Sequence, residues 1–267
     1  MSQYIALSYW DVVLAAVFLL INGGLSLWLD LRLERQLLIA SLRMVVQLLL
    51  IGIILKWIFT VASPVVTGGM ALVMAVFAAR EIWARQERRL TGPWGYGIGG
   101  GAMVFAGVLV TVLALTTQVQ PEPWWSPRFA LPLFGMILGN TMTGISLGLD
   151  TLNSTVHREK AAIEAQLCLG ESRWTAIAPF ARRALRSGFL PIINAMAATG
   201  VVSLPGMMTG QILSGVDPAE AVKYQLLVMF LIGGATGLGV LLAVGGGIWR
   251  LTDERHRLRL DRLCAGT

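Results

Sequence analysis

Two short runs of this 267-residue chain carry the side chains that could handle a solute. One is Asn140, Thr141 and Thr143. The other extends from Asn194 through Ser203, Pro205, Met207, Met208 and Thr209 to Gln211. Both set amide and hydroxyl groups within apolar sequence, and polar groups at membrane depth must face protein or water rather than lipid. Pro205 lacks a backbone donor and its ring clashes with the preceding turn, so with Gly206 beside it the spacing predicts a broken helix in mid-span. Such breaks are tolerated where freed carbonyls line a cavity or meet a solute. The alternative is a kink satisfied by neighbouring helices, with no ligand role. For a metal ion the run offers only weak ligands, the thioethers of Met207 and Met208 beside carbonyl oxygens, where most first-row ions prefer imidazole or carboxylate.

No set of catalytic residues accompanies them. His157 and His256 stand alone in charged stretches, and the absence of CxxC and HExxH leaves zinc without ligands. A membrane enzyme would want a nucleophile and base near the interface, and neither histidine has a partner for that work. Gly95, Gly97 and Gly100 satisfy GxGxxG, but an apolar helix follows and no soluble strand precedes them, which excludes a dinucleotide site. No GxxxxGK[ST] occurs, so the chain is expected to hold no nucleotide or other cofactor, and energy must come from a partner or an ion gradient. A proton-driven carrier would need an ionisable relay at membrane depth. None of the fifteen acidic residues falls at the centre of an expected span, which counts against that reading.

The elements that position these residues follow from composition. The chain is 55% hydrophobic and 13% charged, with mean hydropathy +0.69; soluble domains carry about 25% charged residues. A span needs roughly 20 apolar residues, and seven stretches qualify: residues 10–28, 37–60, 65–83, 97–117, 129–149, 188–214 and 226–249. The expected fold is an all-α polytopic membrane protein of about seven transmembrane helices. The run MSQYIALSYW lacks Lys and Arg, so the first apolar stretch reads as a retained span, not a signal.

Net charge +6 and a pI near 9.9 would invite nucleic acid as a partner in a soluble protein. Here the basic residues sit at span ends instead. With the N-terminus outside and the C-terminus cytoplasmic, eighteen of them fall inside and only Lys56, Arg128 and Lys223 outside, as the positive-inside rule asks. Eight of nine tryptophans fall at span ends, where their amphipathic rings prefer to lie. The same placement keeps Cys168 and Cys264 reduced in the cytoplasm. Gly135, Gly139, Gly144 and Gly148 read as a close-packing face of the fifth span. Arg43 and Glu81 fall at the same level and can pair. The run VDPAEAVKYQ reads as a helix start, with Asp217 as cap, Pro218 at the first position and Glu220 at the third.

One charged segment, residues 150–187, separates the fifth and sixth spans. Within it Ile163, Leu167, Gly170, Trp174 and Ile177 recur at helical spacing, which makes an amphipathic helix broken after Gly170. Glu171, Ser172 and Arg173 can cap or flank the second piece. Such a helix either docks a protein or lies on anionic lipid, which Arg182, Arg183 and Arg186 would suit.

Glu164, Ala165 and Gly170 resemble the EAA-x3-G motif of permeases powered by ATP-binding-cassette subunits. The run GVVSLPGMMTGQILSGVDPAEAVKYQ from Gly200 to Gln225 is similar to the signature of the FetB family of iron-export permeases, and GMILGNTMTG in the fifth span is similar too. The resemblance covers nearly the whole chain. It implies a single permease domain over residues 1–267 in the bacterial inner membrane, a cytoplasmic ATPase partner that binds ATP and magnesium, and a homodimer of permeases. Under it Glu164, Ala165, Gly170, Glu171, Arg173 and Trp174 become the ATPase-coupling residues. It implies export of iron, with another metal or a nucleotide sugar as alternative cargo, since plant relatives are associated with UDP-glucose.

Overall fold

A computed structural model describes residues 8–265; the start of the N-terminal run, residues 1–7, lies outside them. The chain folds as α1 (Tyr9–Trp28), α2 (Glu34–Val61), α3 (Pro64–Ala84), β1 (Arg88–Leu90), α4 (Trp94–Ala114), α5 (Pro127–Arg158), α6 (Lys160–Cys168), α7 (Arg173–Ala198), α8 (Gly206–Leu213), α9 (Pro218–Leu251) and β2 (Leu263–Ala265). A π-helical turn, Leu115–Val119, extends α4. Among the described residues six helices are long and apolar enough to cross a membrane: α1, α2, α3, α4 with its extension, α5 and α9. Helix starts follow local chemistry. Ser8 and Asp11 cap α1 reciprocally, and the Asp217 carboxylate accepts the Ala219 N–H at 2.9 Å ahead of Pro218.

α5 is the central post, in contact with α3, α4, α7 and α9. Lipid is as apolar as leucine, so these helices are held by close packing of small residues rather than by escape from water. A Cβ on Gly144 would lie 2.8 Å from the Gly188 carbonyl oxygen, and one on Gly188 2.9 Å from that of Gly144. Gly148 faces Ala184 in turn, so α7 runs antiparallel to α5. Gly239 against Thr141 and Gly247 against Leu152 show α9 running parallel to α5. Of the four glycines expected to pack in the fifth span, Gly144 and Gly148 do so, Gly135 meets only the end of Met74, and Gly139 meets nothing. Of the would-be nucleotide glycines, Gly97 meets nothing and the other two serve packing. Gly95 abuts the Leu90 carbonyl and Trp83, and Gly100 abuts Ala79.

Two expectations need correction. The sixth stretch is not one helix over 188–214: the chain leaves helix at Ala198 and re-enters it at Gly206. The segment 150–187 is not a separate helix either. Residues 150–158 prolong α5, and α7 runs unbroken from Arg173 to Ala198, which leaves only α6 and the turn after it as an insertion. The all-helical expectation holds except for β1 and β2, which form an antiparallel two-stranded ladder.

That ladder gathers the arginine-rich segments at one end. The Glu87 N–H donates to the Asp150 carboxylate at 2.7 Å, and the Asn153 amide donates to the Arg88 carbonyl at 3.0 Å. Trp94 meets Trp249 edge-on at 5.6 Å, and Arg89 lies 4.1 Å over Trp83. Arg43 pairs with Glu81 at 2.8 Å, joining α2 to α3. Lys56, Arg128 and Lys223 belong to the opposite end, near the finish of α2 and the starts of α5 and α9.

The tail after α9 folds back on the arginine-rich end. Asp253 accepts from the Arg255 and Arg257 N–H groups and pairs with the Arg257 guanidinium. The Arg257 N–H foremost holds its carboxyl below the usual range. The Arg259 guanidinium binds Asp261 through two hydrogen bonds, which lowers that carboxyl to about 2.

Candidate functional site

α6 and α7 meet in a knuckle that projects from the arginine-rich end. Gly170, at φ +92, makes the turn between them, a conformation few side chains tolerate. Ser172 then caps α7, its hydroxyl accepting the Thr175 N–H at 3.2 Å. At the base, Ile163 and Ile177 are fully buried in the main core cluster with Leu152, Val156 and Leu251. At the tip, Leu169 is 85% exposed and Trp174 49% exposed.

The expected coupling residues distribute accordingly. Glu164 faces out and pairs with Lys160 at 3.7 Å. Ala165 is exposed, and its carbonyl accepts the Leu169 N–H at the end of α6. Glu171 lies in the turn, its N–H donating to the Gln166 carbonyl. The Arg173 N–H donates to His256 Nδ1 at 3.1 Å, so the tail holds the first residue of α7. Trp174 departs from expectation, standing off the buried face that Ile163 and Ile177 share.

The candidate solute residues fall into three places rather than one. Asn140 and Thr143 sit on an uncovered face of α5, bonded to the carbonyls of Met136 at 2.8 Å and Gly139 at 3.0 Å. Counting outward from the Gly144 to Gly188 contact brings exposed Asn194 on α7 level with Leu138, two residues beyond Asn140. Thr141 points the other way, fully buried against Gly239 and Ile145, and its hydroxyl finds no partner in the protein.

The third place is the break between α7 and α8. Gly200, at φ +93, donates to the Ser203 carbonyl at 2.9 Å, and the Ala198 carbonyl accepts from both Val202 and Ser203. Pro205 caps α8, and the Thr209 hydroxyl donates back to its carbonyl at 3.2 Å. Met207 and Gln211 line a cavity of about 250 Å³ with Arg128, Met136, Val216 and Tyr224. Met208, Ser203 and Asn194 do not line it. Arg128 and Tyr224 lie near the starts of α5 and α9, so the break stands toward that end and not in mid-span. Gln211 Oε1 is buried there without a partner in the protein. Among the described residues no group of three His, Cys, Asp or Glu could hold a metal.

Sequence reasoning missed several buried polar groups. Thr111, Thr236 and Gln225 each bury an oxygen without a partner, and their signal was a hydroxyl or amide inside an apolar helix. His256 was set aside as a lone histidine, and nothing local ties it to a residue more than eighty positions earlier.

The sequence matches the family described as "Uncharacterised protein family (UPF0014)" over residues 9–251. It is 36% identical to the UPF0014 membrane protein slr1647 of Synechocystis, over 86% of this chain and 88% of that one. It is 32% identical to a protein of Escherichia coli named "Probable iron export permease protein FetB", over 87% and 88%. It is 30% identical to the Arabidopsis protein ALUMINUM SENSITIVE 3, over 84% and 78%. No solved structure matches the chain. With six membrane-length helices and a match across nearly all of its length, the chain is a multi-pass membrane protein that belongs to the UPF0014 family.

Proposed function

We propose that this chain is the permease subunit of an exporter in the bacterial inner membrane, powered by a separate ATP-binding-cassette ATPase that binds ATP and magnesium. The observation that carries the reading is the knuckle, whose base is locked into the core while apolar Leu169 and Trp174 stand in solvent at its tip. A rigid apolar tip of this kind suits insertion into a cleft on a soluble partner. α7 continues from it as one helix of 26 residues, roughly 39 Å at 1.5 Å per residue. A push on the tip therefore moves the break at Ala198 directly. The positive-inside rule supports a cytoplasmic location for this end.

The break also favours two permeases working together. Val201 is 93% exposed and Val202 83% exposed on unwound backbone, an apolar surface of the kind that marks a contact site. A second copy over this surface would cover it and would enclose Asn140, Thr143 and Asn194 between protomers. The route then runs from those residues to Ser203, Pro205, Met207, Met208, Thr209 and Gln211. Iron as cargo rests on the name of the Escherichia coli relative. Met207 and Met136 in one cavity with Gln211 offer an ion soft, weak contacts suited to transit.

The test is co-purification with a cassette ATPase of the host. Leu169→Asp with Trp174→Asp changes only exposed side chains, so the bundle stays folded while ATPase binding drops by about tenfold or more. An undiminished complex would sink the docking assignment.

A further inference from the structure

α7 gives one face to the bundle and leaves the opposite one uncovered. Ala176, Ile177, Ala184, Gly188 and Ile192 are buried. Pro179, Arg182, Arg183, Arg186, Leu190 and Ile193 are exposed, at spacings of three and four that set them on one stripe. Three guanidinium groups thus fall within five residues, around an open hollow of about 510 Å³ lined by Pro179, Arg182, Arg183, Leu185 and Arg186. The ion pairs among the described residues engage Arg32, Arg43, Arg85, Arg257 and Arg259 but none of these three.

Their depth makes the lack of a counter-charge informative. Gly188 meets Gly144, and Ala184 meets Gly148. Arg186 therefore comes level with residue 146, inside the stretch of α5 expected to cross the membrane. An ionisable side chain at that depth is costly unless it reaches water or an opposite charge, and repulsion among three like charges adds to the cost. Snorkelling toward the interface relieves Arg182 and Arg183 more readily than Arg186, which lies a turn further in.

We propose that Arg182, Arg183 and Arg186 form a binding site for a phosphate group at the arginine-rich edge of the membrane. Guanidinium presents a rigid fork of donors that matches the oxygens of a phosphate, and three together suit a group with several oxygens and more than one negative charge. The same chemistry comes from two sources, the headgroup of an anionic phospholipid and the phosphate of a soluble solute.

The full-length chain, purified in nonionic detergent, is titrated with dioctanoyl phosphatidylglycerol by native mass spectrometry and with inorganic pyrophosphate by calorimetry. Saturable binding of at least one probe is expected. It weakens by about tenfold or more in R182Q/R183Q/R186Q, and by less than about threefold in a variant with the exposed Arg35, Arg158 and Arg255 changed to Gln. Binding of the lipid alone assigns a headgroup site, and pyrophosphate binding that displaces the lipid assigns the mouth of a soluble anion's route. No saturable binding of either probe to the wild-type chain, or equal losses in the two triple variants, overturns the proposal. The wild-type titration needs no variant to fold, and R182K/R183K/R186K keeps the charge while removing the fork.

Discussion

At Gly144 a hydrogen occupies the place where any other residue would set a carbon 2.8 Å from both the Gly188 carbonyl and the Thr236 methyl. Those neighbours are backbone and a buried side chain, which cannot swing aside. Gly144→Val is therefore expected to cost about 1–3 kcal/mol or more through overpacking, while Gly139→Ala, which meets nothing within 4 Å, stays neutral. Thermal unfolding of the two purified variants checks this, and equal midpoints would contradict the packing. Spacing alone made the four glycines equivalent, because i, i+4 periodicity says which residues share a face but not which helix covers it. Trp174 shows the complementary limit. It keeps helical register with Ile163 only if the helix continues, and the φ of +92 at Gly170 resets the phase of everything after it. The pairing of Arg43 with Glu81 was legible because both fall at the same level of neighbouring spans.

Among the elements, α6 and α7 were readable as helices from their apolar period, but α7's unbroken run into the bundle was not. Its polar first half and apolar second half look like two segments until α5 covers both. The tail was invisible to pattern reading, since β1 and β2 have three residues each and pair across roughly two thirds of the chain's length. Leu258, Leu260 and Leu263 nevertheless pack against the main core, and His256 holds the start of α7. Removing residues 252–267 is expected to cost about 2–4 kcal/mol from those half-buried leucines and to speed hydrogen exchange at residues 173–176. Unchanged exchange there would show that the tail does not secure the knuckle.

For the molecule as a whole, the two cysteines report its orientation. Cys168 and Cys264 are both exposed and free, at the end where the arginine-rich segments gather. A membrane-impermeant maleimide is expected to leave both unlabelled in intact spheroplasts and to label both in inverted vesicles, read by mass shift. Labelling from outside would reverse the topology. The sequence by itself determined that this is a membrane protein, where most of its helices lie and which ends share a side, because hydropathy and basic charge act locally against the bilayer. Only the tertiary structure decided which candidate solute residues face one cavity, that the break stands near one end and that the arginine stripe of α7 is uncovered. Those properties depend on which helix packs against which, and the close approach of Gly144 to Gly188 couples positions that no local pattern joins.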